Sequence, residues 1–187
     1  MRESSSETDG DRMRRWAAGD RAAFEEIVRA WTGPIGRFLV RLTGDADAAS
    51  DLTQEVFLRV YLKGAHYRES GTFRTWLFQI ALNLSRDAAR SRARKPAIPL
   101  ADSHEIAVIE CEPDTRERAA IVAAALAELP IAQREVVVLR HYEDLSFEAM
   151  ARLLGVSATT LKSRFATAMA KLERTLIARG LKPENAP

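Results

Sequence analysis

Apolar residues return every three to four positions along most of this chain, the spacing of helices that bury one face. A first helix is expected from Asp11 or Arg12, with Met13, Trp16 and Ala17 on one side. Asp20 offers an N-cap to a second, in which Ala23, Phe24, Ile27, Val28 and Trp31 recur. Gly33 and Pro34 then interrupt the pattern, yet Ile35, Phe38, Leu39 and Leu42 resume the same period. The prediction is a kink or short break with Pro34 near a new helix start, closed by Thr43 and Gly44. Asp45 opens the next helix. Its core stripe is Leu52, Val56 and Val60, widened by Phe57 and Tyr61, while Asp51, Gln54, Glu55 and Leu58 line another face. After a loop over residues 64–71, which holds His66 and Tyr67, a further helix carries Phe73, Trp76, Leu77, Ile80, Ala81 and Leu84.

The rhythm stops over residues 96–117, which hold three prolines and six acids and read as an extended linker. It resumes in a helix over residues 115–129, with Ile121, Ala125, Leu126 and Leu129 apolar. Pro130 fits the first turn of the next helix. That helix contains Val136, Val137 and Val138, which in isolation favour a strand. Helix is still predicted, because Ile131, Val138 and Leu139 keep a helical face and a lone strand would have no partner.

The most informative stretch is residues 145–172, which read as a helix-turn-helix. Ser146 caps a short helix with Glu148 in its first turn, where the helix dipole favours an acid. Phe147, Met150, Ala151 and Leu154 make its apolar face, Gly155 is suited to leave the helix with positive φ, and Val156 plugs the corner. Ser157 caps the second helix, whose inward stripe is Leu161, Phe165, Ala168, Met169 and Leu172. Its outward face carries Thr159, Lys162, Ser163, Arg164, Thr167 and Lys171, donors suited to phosphates and base edges. A hairpin used only for packing has no need of a basic, hydroxyl-rich outer face.

Charge sharpens this division. The formal net charge is only +2, but residues 11–95 carry +6, residues 96–117 carry −5 and residues 118–187 carry +3. Two basic blocks around an acidic connector suggest two modules that each meet a polyanion. In the first block Arg86, Arg90, Arg92, Arg94 and Lys95 crowd ten residues against one acid, Asp87, downstream of aromatic residues. That pattern suits an unpaired strand, where bases stack and phosphates are neutralised, though a core helix with a solvated basic tail would look the same. One cysteine, Cys111, excludes an internal disulfide and fits a reducing compartment. The polar first ten residues are expected to be disordered and hold no signal core. No apolar run approaches a membrane span, so a soluble, cytoplasmic protein is expected. His66, His104, His141 and Cys111 show no metal-ligand spacing. No catalytic set or phosphate loop is present, so neither an enzyme nor a cofactor is expected.

Taken together and in order, DLTQEVFLRVY, FRTWLFQIALNLSRDAARSRARK, the acidic linker and LPIAQREVVVLRHYEDLSFEAMARLLGVSATTLKSR resemble the ECF (extracytoplasmic-function) class of bacterial RNA polymerase sigma factors. The resemblance runs from about Asp20 to Leu172. It implies an all-α fold of two helical domains, a region 2 type bundle over 11–95 and a region 4 type helix-turn-helix unit over 115–178. A flexible acidic linker over 96–114 joins them, and a tail follows over 179–187. It implies that Asp51, Gln54, Glu55, Phe57, Leu58 and Arg59 dock on the clamp of the largest subunit of core polymerase. Trp76, Asn83, Arg86, Asp87, Arg90 and Arg94 would meet the minus-ten promoter element, with Asn83 at or near a loop that takes an unstacked base. Thr159, Thr160, Lys162, Ser163, Arg164, Thr167 and Lys171 would meet the minus-thirty-five element as duplex DNA. Thr159-Thr160-Leu161 stands where the family usually has Gly-Thr-Val, and Ala166 and Thr167 stand where relatives carry larger or basic groups, which implies a weaker phosphate grip. An anti-sigma factor is the implied inhibitory partner.

Two other readings of the residues stay open. An autonomous helix-turn-helix repressor or activator would explain the second module but not the polar face over 51–59, and no dimerisation helix for paired half-sites is evident. A helical adaptor without a nucleic-acid role predicts no loss of function when Lys162 and Arg164 become alanine.

Overall fold

In a computed structural model, residues 8–64, 72–94 and 113–181 are described, with the side chains of 93–94 and 113–116 left aside. Residues 1–7 of the predicted disordered start, 65–71 of the loop with His66 and Tyr67, Lys95, residues 96–112 of the linker with His104 and Cys111, and the end of the tail lie outside the described residues; residues 8–10, expected to be disordered, instead cap and begin a helix. Most of those that are described are helical, with no strand among them. They form two compact units, one within Met1–Leu39 and Ala49–Pro96, the other within Val40–Ala48 and Ala97–Pro187.

The first unit is built from α1 (Asp9–Ala17), most of α2 (Arg21–Thr43), α3 (Ala46–Lys63) and α4 (Phe73–Arg94). Helix α1 starts two residues earlier than expected, because Thr8 and Asp11 close a capping box. The Asp11 N–H donates to Thr8 Oγ1 at 3.2 Å and the Thr8 N–H to Asp11 Oδ2 at 2.9 Å. The Thr8 hydroxyl and N–H and the Arg14 guanidinium hold the Asp11 carboxyl down at about 2.

Helix α2 runs through Pro34 without the predicted break. An interior proline costs about 3 kcal/mol. Against that, Ile27, Ile35, Phe38 and Leu39 are wholly buried on the face that continues across it, and each is worth about 1.5–3 kcal/mol. Ala30, whose carbonyl Pro34 cannot serve, is exposed to water. Phe38 meets Phe78 of α4 edge to face at 4.7 Å, and Trp31 meets Phe73 edge to face at 5.9 Å.

Helix α3 buries Ala49, Thr53, Val56, Phe57 and Val60. Two expectations shift here. Leu52 is only half-buried, and Tyr61 is 49% exposed at the edge of the stripe. The Thr53 hydroxyl, turned inward, donates to the Ala49 carbonyl at 2.7 Å, so the buried polar atom is satisfied within its own helix.

The second unit holds α5 (Pro113–Ala127), α6 (Ile131–Val137), a single π turn (Val138–Tyr142), α7 (Phe147–Leu154) and α8 (Ala158–Ala178). Helix α5 begins and ends two residues before its predicted bounds. Pro130 is the N-cap of α6 rather than its first residue, and its carbonyl accepts from the Gln133 and Arg134 N–H groups at 2.8 and 3.0 Å. The valines are helical, as expected, but for a different reason. Val136, Val137, Val138 and Leu139 are all buried, so this segment is covered on every side, and the π turn widens the helix as it ends. Ile131, assigned to that face, is 55% exposed.

Ala125, Leu126, Leu129, Val137, Ala168 and Leu172 form the common core of α5, α6 and α8. Arg134 donates to the Leu126 carbonyl at 2.8 Å and the Leu129 carbonyl at 3.3 Å, serving groups that the end of α5 leaves open.

Candidate docking and nucleic-acid interfaces

Three helix faces carry the residues singled out by the sequence. On α3, five buried positions fix the inward side, so Asp51, Gln54 and Leu58 point to solvent and Glu55 and Arg59 lie at the margin. Arg59 Nε donates to Glu55 Oε1 at 2.9 Å, one turn away, which leaves that margin nearly neutral. Phe57, which the resemblance puts in the docking set and its period puts in the apolar stripe, follows the stripe: at 8% exposure it belongs to the core beside Val56 and Val60. Leu62, which was not singled out, is the most exposed large apolar side chain on this face, at 66%, with Leu58 one turn away at 51%. Its spacing of four from Leu58 and eleven from Asp51 was the available signal.

On α4, Phe73, Leu77, Phe78, Ile80, Ala81, Leu82 and Leu84 are buried, a broader face than the predicted stripe. What remains is a narrow strip of Gln79, Asn83, Asp87 and Arg90, exposed one above another, with Arg86 and Trp76 half-buried beside it. Asn83 is a mid-helix residue rather than one at a loop, held there by buried Leu82 and Leu84 on either side. Asp87 forms an ion pair with Arg90 one turn on, so the one acid of this segment tethers a neighbouring cation. Trp76 packs against Phe73 at 5.8 Å and keeps part of its indole in solvent. Arg94 is the last residue of α4 and its side chain is outside the described set.

In the helix-turn-helix, the local chemistry follows the sequence closely. The Ser146 hydroxyl accepts from the Ala149 N–H at 3.1 Å and Ser157 Oγ from the Thr160 N–H at 3.2 Å. Gly155 takes φ +67° at the corner, where a side chain would be strained. The buried residues of α7 are Met150 and Leu153, so Leu153 replaces Leu154 as the inward leucine. Phe147 stays half-buried and meets Phe165 edge to face at 5.9 Å. Of the stripe assigned to α8, Leu161, Ala168 and Leu172 are buried, whereas Met169 is 39% exposed.

The outer surface of α8 has a graded profile. With ~100° of rotation per residue, Thr159, Ser163, Ala166, Thr167 and Ala170 occupy its centre, and all are exposed. Short side chains there let a helix approach closely, while Lys162 on one flank and Arg164 on the other can reach outward. Lys162 is exposed and lies 5.8 Å from the Phe147 ring centre. The Thr160 hydroxyl is engaged with Ser157 Oγ at 2.8 Å, and the Thr167 hydroxyl donates to the Ser163 carbonyl at 3.0 Å. Lys171 leaves this group. It is half-buried, and its Nζ donates to the Glu128 carbonyl at 2.8 Å beyond the end of α5, where an open carbonyl and the helix dipole attract a cation.

Among the described residues, no group of His, Cys, Asp or Glu could hold a metal ion, and no helix is long and apolar enough to cross a membrane.

Residues 27–95 match Sigma-70 region 2 and residues 119–172 match Sigma-70 region 4. The ECF RNA polymerase sigma factor SigM of Mycobacterium tuberculosis is 33% identical over 170 residues, 90% of this chain and 85% of that one. The RNA polymerase sigma-H factor of Pseudomonas aeruginosa is 28% identical over 92% of this chain and 95% of its own length. Among solved structures, CnrH in complex with the cytosolic domain of CnrY is similar with a TM-score of 0.70 at 25% identity, covering 92% of this chain and 99% of that one. The sigma factor RpoE in complex with the anti-sigma factor NepR, from Bartonella quintana, shares the fold with a TM-score of 0.65 at 23% identity, over 82% and 96% of the two chains. A region 2 match followed by a region 4 helix-turn-helix, with relatives of this class along most of the chain, therefore places this chain in the ECF class of bacterial RNA polymerase sigma factors.

Proposed function

We propose that the α3 face docks on the clamp of core RNA polymerase, that the α4 strip engages the minus-ten element as an opened strand, and that α8 reads the minus-thirty-five element as duplex. The observation that carries this reading is the pair of leucines on α3. Leu58 and Leu62 are 51% and 66% exposed and stand in line with Asp51 and Gln54. Large apolar side chains left in water among polar neighbours mark a surface that a partner covers.

On α4, the Asn83 amide offers both donors and an acceptor to a base edge. Trp76 supplies part of an aromatic surface beside it, and Arg86, Arg90 and Arg94 balance strand phosphates. On α8, Thr159, Ser163 and Thr167 face the groove floor, Lys162 and Arg164 reach its walls, and Thr160 lies toward one side near the start of the helix. The modules over 11–95 and 115–178 work as separate readers joined by the acidic tether over 96–114. An anti-sigma factor that covers these faces would keep the chain off polymerase, as the solved relatives bound to their partners suggest by analogy. The site of action is the cytoplasm, where polymerase and promoter are.

Purified chain titrated into core polymerase tests the reading. Asp51→Ala with Gln54→Ala should weaken the core complex about tenfold, as loss of two interface polar contacts predicts. Asn83→Ala should leave core binding intact and reduce promoter opening, read by permanganate reactivity of unpaired thymines. A double variant that binds core as tightly as the native chain overturns the assignment of the α3 face.

A further inference from the structure

Helix α1 precedes the residues that match region 2, yet it is firmly attached to the unit that carries the docking face. Met13 is buried. Arg12 pairs with Asp9 at 2.8 Å and with Glu26 of α2 at 3.3 Å, and Arg15 reaches Asp20 at 2.7 Å and Glu26 at 3.5 Å. The centre of the attachment is Trp16. Its indole lies 5.0 Å from the Phe24 ring and 4.9 Å from the Tyr61 ring, and Phe24 and Tyr61 meet edge to face at 5.4 Å. The indole also presses on the end of α3 so closely that a Cβ at Gly64 would sit 2.4 Å from its Nε1. Only glycine at position 64 leaves room for it.

Tyr61 joins this cluster to the surface. It is 49% exposed, and on α3 it sits beside Leu58 and Leu62, between the buried stripe and the solvent face. One side of its ring is fixed by Trp16 and Phe24, and the other continues the apolar patch. We infer that Trp16 is a positioning residue of the polymerase-docking face, acting through Tyr61, which is itself a further contact of that face. The inference rests on the α3 reading above. Without the indole, Tyr61 would be free to change rotamer, and the last turn of α3, which presents Leu62, would lose its lateral support. An aromatic pair of this kind is directional as well as apolar, so a ring at position 16 restores part of the effect where an alkyl group does not.

The test compares Trp16→Ala, Trp16→Phe and Tyr61→Ala in the full-length chain. Two quantities are read: affinity for core polymerase, and capture of a minus-ten single strand at saturating core. Trp16→Ala and Tyr61→Ala should each raise the core dissociation constant about tenfold, the scale of one lost aromatic pair, and leave strand capture unchanged. Trp16→Phe should recover most of the loss. Should Trp16→Ala fail to fold, judged by its helical circular dichroism, Tyr61→Ala still decides, because its ring is half in solvent. Native-like core affinity in Tyr61→Ala, or a parallel loss of core affinity and strand capture, overturns the inference. If the Asp51→Ala, Gln54→Ala double variant also binds core normally, the α3 reading itself has failed; if only the double variant is weakened, the face stands and the role of Trp16 and Tyr61 does not.

Discussion

Helices α4 and α8 both carry basic side chains at their surface, yet they are set into the protein in opposite ways. Over its first half α4 buries Phe73, Leu77, Phe78, Ile80, Ala81, Leu82 and Leu84, so only one narrow strip meets solvent. Helix α8 is held by Leu161, Ala168 and Leu172 and shows most of its circumference. The difference matches what each would meet. A major groove about 12 Å wide accepts a helix about 10–12 Å across, which must therefore be free on most sides. A single strand has no walls. It is held along one line, where each side chain needs a fixed place to meet a particular base, and an embedded helix supplies that. On the proposed reading, how deeply a helix is sunk separates a strand reader from a duplex reader better than its charge does.

The largest expected effect probes that depth. Leu77→Ala should destabilise its unit by about 2–5 kcal/mol, the range for a fully enclosed leucine, and Leu172→Ala by an amount at or below the low end of that range, about 2 kcal/mol. Urea titration followed by circular dichroism measures both. Equal losses would break the distinction between a sunken and a surface helix.

A smaller effect sharpens the picture of α8. Arg164→Ala should cost about 1–3 kcal/mol at the preferred minus-thirty-five sequence and much less at others if it reads a base; Lys162→Ala should weaken all sequences alike and lower the salt slope by about one. Holoenzyme binding to a set of promoter variants at several salt concentrations separates them. A uniform loss for Arg164→Ala would make both flanks of α8 phosphate contacts.

The smallest effect concerns Lys171. Since its Nζ is committed to the Glu128 carbonyl, Lys171→Met should leave the salt slope of promoter binding unchanged and lower stability by about 0.5–1.5 kcal/mol, the usual worth of one hydrogen bond. A drop in salt slope equal to that of Lys162→Ala would return Lys171 to the DNA-facing group.

Much of this was legible before any coordinates. Ser146, Gly155 and Ser157 specify the corner of the helix-turn-helix through bonds that span only three or four residues, so local sequence is sufficient for them. The same holds for the Asp45 cap of α3, whose Oδ1 accepts from the Ala48 N–H at 2.9 Å. Of the kink or short break expected at Pro34, the break is absent, and the signal against it is not local. It lies in Ile27, Ile35, Phe38 and Leu39 all finding a core at once, and burial summed over four residues exceeds one missing hydrogen bond.

The chain's order of amino acids by itself determined that there are two helical modules, where most helices lie, and which motif each carries. Period, caps and turn residues act within a few positions, and sequence displays them directly. Only tertiary structure decided that Leu52 is half-buried, that Leu62 stays in water, that Lys171 bonds the backbone beyond α5, and that Trp16 packs against Tyr61. Each depends on what a second helix places opposite the residue, and a helical wheel fixes the direction of a side chain without saying what it will meet.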